Sequence, residues 1–277
     1  MATVARSRPE GAAVLPTDPA ALPLLNQGRI DVTGRIVDAS NATLFCTVHC
    51  DGVSADCVYK PIRGERPLWD FPDGTLAGRE VASWLLSEAT GWSLVPPTVL
   101  RAGPLGPGMV QLWVDTENEH DLVDVVPVDA VPAGWRPVLR AHDRYGAPAL
   151  LVHADTEGVR QLAVLDVLLN NADRKGGHVL AGLDGGVYGV DHGICLHHED
   201  KLRTVLWGFL GEPLSAAVLD MLRRMRSELD GTLGVALAEH LTRTELKALQ
   251  ERTDRLLATE TFPAPNGAWP AIPWPAF

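Results

Sequence analysis

Five residues stand in an order that suits the handling of a phosphate ester: Lys60, Glu80, Asp173, His178 and Asp191. Lys60 closes the apolar stretch VSADCVYK and is one of only four lysines among 24 basic residues. A lysine at the end of a half-buried strand needs an anionic partner, because an unpaired buried ammonium is costly. Glu80 follows twenty residues later in LAGREVASWLLSEATG, four after Leu76 and four before Trp84, on the apolar stripe of an expected helix. It is the natural partner for Lys60. Asp173 and His178 lie in NNADRKGGH, directly after an apolar helix. Helix capping accounts for Asn170, Asn171 and the glycines, but not for Asp173 or His178. Asp191 lies in VYGVDHG, where His192-Gly193 allows a sharp turn. Two carboxylates that converge are costly without a cation, and a divalent metal supplies one. Lysine on a strand, glutamate on the next helix, Asp with a ligand-type residue five later, then Asp-x-Gly, is the set that phosphoryl transfer requires.

These side chains need elements to hold them. Residues 28–114 read mostly as strands: GRIDVTGRIV, a hairpin turning at Asp51-Gly52, then PTVLRAG and GMVQLWV. One helix interrupts them, with Leu76, Val81, Trp84, Leu85 and Ala89 in helical period and Gly91 as C-cap. From Asp115 onward the pattern gives a helix at 157–170, a hairpin at Asp184-Gly185, and helices near 214–229 and 242–259. The expected fold class is α+β: a two-lobed, protein-kinase-like arrangement with a small β-rich N-lobe over 24–114 and a larger α-rich C-lobe over 115–262. Residues 1–23 read as a mobile tail. The Pro- and Trp-rich residues 263–277 form no regular element, and their two tryptophans and Phe277 are expected to staple them onto the surface. The turn Asp38–Ala42, with Ser40 and Asn41 at its tip, offers small residues that would let backbone N–H groups approach a phosphate.

Composition bounds the partners. Hydrophobic residues are 46% and charged residues 21% of 277, which excludes global disorder. The net charge of −11 argues against nucleic-acid binding. No apolar run reaches membrane-spanning length and the N-terminus lacks a signal-peptide core, so a soluble, cytoplasmic chain is expected. The hairpin register sets Cys46 opposite Cys57 and turns His49 to the other face, which fits reduced core cysteines rather than a zinc site. The same register places Lys60 on the face of Val58 and Phe45. Arg174 and Lys175 face either a phosphate, an anionic acceptor or solvent. Lys201, Arg203 and Trp207 either meet the acceptor or pack, and 115–155 helps to shape its site.

With these residues in view, the chain resembles the phosphatidylinositol 3-/4-kinase-like branch of the kinase superfamily, most closely the type II phosphatidylinositol 4-kinases, and a group of actinobacterial kinase-like proteins. Tyr59-Lys60-Pro61-Ile62 is similar to that family's Phe-Lys-Pro strand, and Gly78-Arg79-Glu80-Val81-Ala82 to its Arg-Glu-x-Ala helix. Leu165-Asp166 through Asn171-Ala172-Asp173-Arg174 and Val190-Asp191-His192-Gly193 are similar to its Asn-Thr-Asp-Arg and Ile-Asp-Asn-Gly stretches. The resemblance implies an ATP-dependent phosphotransferase. Lys60 would contact the nucleotide phosphates, Glu80 would pair with it, and Asp173 would be the catalytic aspartate. Asp191 would hold Mg²⁺ or Mn²⁺. Leu112, Trp113 and Val114 would form the hinge whose backbone pairs with adenine, and Val58 would roof the purine. His178 stands where the family has Asn, and the family's cysteine-rich lipidation stretch is absent. The acceptor hydroxyl is left open among an inositol or lipid head group, a free polyol and protein Ser/Thr. A nucleotide-binding pseudokinase scaffold and an AMP transferase using the same cleft are the alternatives.

Overall fold

A computed structural model of the chain describes residues 14–36, 42–116, 122–143 and 145–277. The N-terminal portion is a five-stranded antiparallel sheet in the order β1-β2-β3-β5-β4, built from β1 (Arg29–Arg35), β2 (Leu44–Cys50), β3 (Val53–Pro61), β4 (Thr98–Gly103) and β5 (Gly106–Leu112). Asp51 and Gly52 both take positive φ, 49° and 80°, at the β2–β3 turn, as a tight two-residue hairpin demands. Cys46 pairs with Cys57 and Phe45 with Val58, the register read from the sequence. The four cysteines are free.

Alternation gives this sheet two different faces. Cys46, Val48, Cys57, Tyr59 and Val110 pack against α1 (Ala21–Gln27), whose Ala21, Leu24 and Leu25 are buried. The sequence reading places residues up to 23 in a mobile tail. Residues 1–13 lie outside the described residues, but from Ala21 the chain is a helix closing one side of the sheet. The opposite face carries Val58, Lys60, Met109 and Gln111, and α2 (Leu76–Thr90) packs on β4 and β5.

Thr75 caps α2 by accepting from the Gly78 N–H, and Gly91 ends it in the left-handed conformation. Its apolar stripe is broader than the periodicity suggests. Ala82 and Leu86 are fully buried, whereas Leu76, Trp84, Leu85 and Ala89 are half-buried. Sheet lies on one side of α2 and helices on the other, so even Arg79 and Glu80 are 1% exposed.

The C-terminal portion opens with a three-stranded antiparallel sheet of order β6-β8-β7, formed by β6 (Val123–Pro127), β7 (Trp135–His142) and β8 (Pro148–Ala154). Then come α3 (Glu157–Leu169), a hairpin of β9 (Val179–Ala181) and β10 (Val187–Gly189), α4 (Ala216–Glu228), α5 (Thr232–Leu237) and α6 (Arg243–Thr259). Leu162, Leu165, Leu168 and Leu169 of α3 sit in the core shared with Leu222 of α4 and Leu249 of α6. The fold is thus α+β, with an antiparallel β-rich first part and a mainly helical second part. Residues 263–277 form no helix or strand and lie along the second part. The Ala271 carbonyl accepts from Thr204 N–H and Trp207 Nε1–H, and the Ala276 carbonyl accepts from Gly176 N–H. Of the expected staples, Trp269 is half-buried and the Phe277 ring lies against Gly176, while Trp274 is 87% exposed.

Candidate active site

Lys60, near the end of β3, reaches both portions of the chain. Its Nζ lies 2.6 Å from Glu80 Oε1 on α2 and 2.7 Å from Asp191 Oδ1, which follows β10. The second oxygen of Glu80 accepts from the His192 N–H at 2.9 Å, so Glu80 holds both the lysine and the backbone beside Asp191. Gly193 eases this approach, because a Cβ there would meet Leu76 Cβ at a tight 3.3 Å. Asp191 itself has φ 61°, a left-handed conformation that Asp tolerates better than most residues.

Two carboxylates share one ammonium here. Burial works against the charged lysine, but Asp191 and Glu80 outweigh it and raise the Lys60 pKa. The Lys60 charge holds Asp191 well below the usual carboxylate range. Burial lifts Glu80 above that range despite the opposing effect of Lys60. The result is a fixed cation flanked by acceptors, a polar group that an anionic ligand could take over from Asp191.

Asp173 stands in the segment after α3, half-buried, with Oδ2 3.3 Å from Lys175 Nζ. Burial raises its pKa, Lys175 opposes, and the charge of Asp191 adds to the rise, so the two carboxylates feel each other. His178 lies between them. Its Nδ1 is 3.2 Å from the Asp173 carbonyl oxygen and its Nε2 is 3.6 Å from Asp191 Oδ2. A carbonyl only accepts, so Nδ1 carries the proton. Burial pushes the His178 pKa down to about 4, which leaves Nε2 unprotonated, its lone pair facing a carboxylate oxygen. Two lone pairs turned toward each other fit a divalent cation that takes its other ligands from phosphates and water. Among the described residues no group of three or more His, Cys, Asp or Glu is placed to hold a metal by itself.

Behind these side chains lies a buried network that the sequence reading did not identify. Asp166 of α3, 0% exposed, accepts from Asn171 Nδ2 at 3.0 Å, Arg174 Nε at 3.0 Å and Thr204 Oγ1 at 2.9 Å. Arg174 is also 0% exposed, and donates to the carbonyls of His178 and Val190 and to His192 Nε2. Gly189 leaves room for it, since a Cβ there would lie 2.9 Å from Arg174 Nη2. Arg174 is therefore a clamp between the Asp173 and Asp191 segments, neither a phosphate contact nor a solvated residue. The available signal was a carboxylate, Asp166, within the otherwise apolar stretch LAVLDVLL of α3, which requires a nearby cation.

The remaining expected residues divide. Val58 is half-buried on the Lys60 face, opposite Phe45 and Gln111. The Leu112 and Trp113 N–H groups already donate to the carbonyls of Pro97 and Asp56, and the Leu112 side chain lies in the core on the α1 side. Of the three hinge positions, only Val114 keeps an N–H without a protein acceptor among the described residues. Trp113 stacks edge-on against Phe45, centroids 4.9 Å apart. Ser40 and Asn41 lie outside the described residues. Lys201 is 3% exposed and bound to Asp70, and Trp207 is tied to Ala271, so both pack rather than meet an acceptor. Arg203 is half-buried and close enough to lower the Asp173 pKa. Within 115–155, expected to help shape an acceptor site, β6, β7 and β8 form the three-stranded sheet.

No protein-family model matches the chain. Protein Rv2133c of Mycobacterium tuberculosis is 51% identical to it over 263 residues, which cover 92% of this chain and 94% of that protein. The crystal structure of the Helicobacter pylori proinflammatory kinase CtkA superposes with a TM-score of 0.40 at 12% identity, covering 86% of this chain and 94% of that one. No helix among the described residues is long and apolar enough to cross a membrane.

Proposed function

The chain belongs to the family of Protein Rv2133c, and from that premise we propose that it is an ATP-dependent phosphotransferase of the phosphatidylinositol 3-/4-kinase-like type, moving the γ-phosphoryl group to a hydroxyl acceptor. One observation carries this reading: Lys60, Glu80 and Asp191, up to 131 residues apart, converge within 2.7 Å contacts, with Asp173 and His178 beside them. A strand lysine held by the glutamate of the next helix, facing an Asp-x-Gly segment, is the arrangement kinases use to hold triphosphate.

In this reading Lys60 exchanges Asp191 for the α- and β-phosphates, and Glu80 keeps the ammonium oriented. Asp191 and His178 would hold Mg²⁺ or Mn²⁺, which would supply neutralisation of phosphate charge. Val58 covers the purine, and the Val114 N–H is the hinge donor left for the base. The acceptor oxygen forms a bond to the γ-phosphorus as the bond to the β,γ-bridging oxygen breaks. ADP departs and the hydroxyl proton passes to Asp173. Burial suits Asp173 to this, since a raised pKa makes it a better proton acceptor.

The test is thermal shift with ATP, with and without Mg²⁺ or Mn²⁺, followed by mass spectrometry of the products. A metal-dependent rise in Tm and release of ADP support the proposal. AMP attached to an acceptor would make the protein an AMP transferase, and binding without turnover a pseudokinase. Asp173→Ala is expected to lower turnover by roughly 10²–10⁴-fold while sparing nucleotide binding. Normal turnover in that variant would overturn the assignment.

A further inference from the structure

A cavity of about 470 Å³ opens in the second portion, between α3, α6, the segment 200–211 and residues 261–266. It shares no residue with the cluster around Lys60. Its walls are mostly apolar, with Leu202, Trp207, Leu210, Leu256, Phe262 and Pro263 among them. Against them stands Arg252 of α6, 8% exposed. Its Nε donates to the Leu168 carbonyl and its Nη1 to the His197 carbonyl, at 3.1 and 3.2 Å. Nη2 is buried and has no hydrogen-bond partner among the described residues.

Neutral carbonyls thus take two of its nitrogens, and no carboxylate among the described residues pairs with it. The one acid lining the cavity, Asp200, is 3.8 Å from Arg255 at the exposed rim. Burial lowers the Arg252 pKa to about 10, with Asp200 opposing only in part. A guanidinium kept in apolar surroundings without a counter-charge is costly, and proteins retain such groups where an anion completes them. The volume falls within the roughly 300–1,000 Å³ typical of small-molecule sites, which combine apolar walls with a few placed polar groups. A bare inorganic anion would leave most of its oxygens against hydrocarbon.

We propose that this cavity binds a small organic anion, with an apolar body against Trp207, Leu210 and Phe262 and a single carboxylate or phosphate-monoester head paired with Arg252, whose buried Nη2 turns toward the cavity to meet it. The carbonyl of His197 that Arg252 holds also accepts from Asn170, three residues before Asp173.

Isothermal titration of the full chain with octanoate, octyl phosphate, 1-octanol and inorganic phosphate tests this without reference to any activity. One or both amphipathic anions should bind one to one, at least tenfold more tightly than 1-octanol or inorganic phosphate; comparison of the two distinguishes a carboxylate from a phosphate-ester ligand. Arg252→Gln should weaken that binding at least tenfold. Should Arg252→Gln fail to fold, Leu210→Glu decides, because Leu210 is 50% exposed at the mouth and its substitution adds charge without opening the core. It too should weaken anion binding at least tenfold at unchanged Tm. Absence of binding by both anions at millimolar concentration, equal affinity for 1-octanol, or undiminished binding by a folded Arg252→Gln or by Leu210→Glu would each overturn the proposal.

Discussion

At the scale of single residues, the candidate site depends on how one environment treats three carboxylates differently. Asp191 is kept ionised by the ammonium 2.7 Å away, Glu80 is lifted by burial, and Asp173 is lifted by burial with Lys175 opposing. Separation of titration ranges among neighbouring acids is how such sites divide roles. If the Asp173 carboxylate accepts the proton, kcat/KM must fall as pH drops through its pKa, which lies above the ordinary 3.8. Lys175 lowers that pKa, so Lys175→Ala is expected to move the acidic limb of the profile to higher pH. Lys175→Arg should leave the limb nearer the wild-type position. A limb that stays in place in Lys175→Ala would exclude Asp173 as the group being titrated. Lys60, Glu80 and Asp191 were legible in the sequence because each is a charge at the end or on the buried side of an apolar element. Arg174 was not. Asp173, Arg174 and Lys175 are consecutive charges in one loop, and nothing local says that the middle one turns inward to Asp166 while the outer two stay near the surface.

At the scale of elements, Arg174 joins three of them. It binds Asp166 on α3, the carbonyl that begins the β9–β10 hairpin segment, and the carbonyl and imidazole that follow β10. Both partners of the Arg174–Asp166 pair are fully buried, 3.0 Å apart. Removal of one member strands the other's charge in the core, at a cost of roughly 3–5 kcal/mol. Arg174→Met is expected to lower the stability read from urea unfolding by about that amount, and Arg174→Lys by a comparable one, since one ammonium cannot span the same acceptors. A loss below about 1 kcal/mol would mean that the network is not what fixes the two segments. Helices α2, α3, α4 and α6 and the first hairpin followed from periodicity and turn residues, but α5, β6, β7 and β8 did not. Pro127 in β6 and Pro137 in β7 argue against central strands, and both strands are in fact the edges flanking β8. Two of the three strands are also half-exposed along most of their length, so no continuous apolar run announced them. The helix at Ala21 was hidden by the small and proline-rich residues before it.

Over the whole molecule, acid is the condition that reaches many side chains at once. The chain carries 35 acidic residues, but ordinary carboxylates stay largely ionised down to about pH 5, so between pH 7 and 5 the histidines dominate proton uptake. Several of the nine are held neutral by burial. His153 is the clearest, at 0% exposure: its Nδ1 donates to the Ala154 carbonyl at 2.9 Å and its Nε2 accepts from the Gly208 N–H at 3.0 Å. Burial lowers its pKa below 6.5, with the Ala154 carbonyl opposing and the Arg136 charge adding to the fall. The unfolded chain therefore binds the proton more tightly, and folding stability declines as pH falls below about 6.5. Protonation would also turn the Nε2 acceptor into a donor facing the Gly208 N–H, breaking the link between β8 and the turn at Trp207–Phe209. The urea midpoint is thus expected to drop between pH 7 and pH 5, and His153→Gln, neutral at both values and able to accept from Gly208, should show a smaller drop. His192 and His197 are shifted in the same direction, so the variant removes part of the dependence rather than all of it. An unchanged or steeper acid loss in His153→Gln would show that the imidazole is not held neutral in the folded chain.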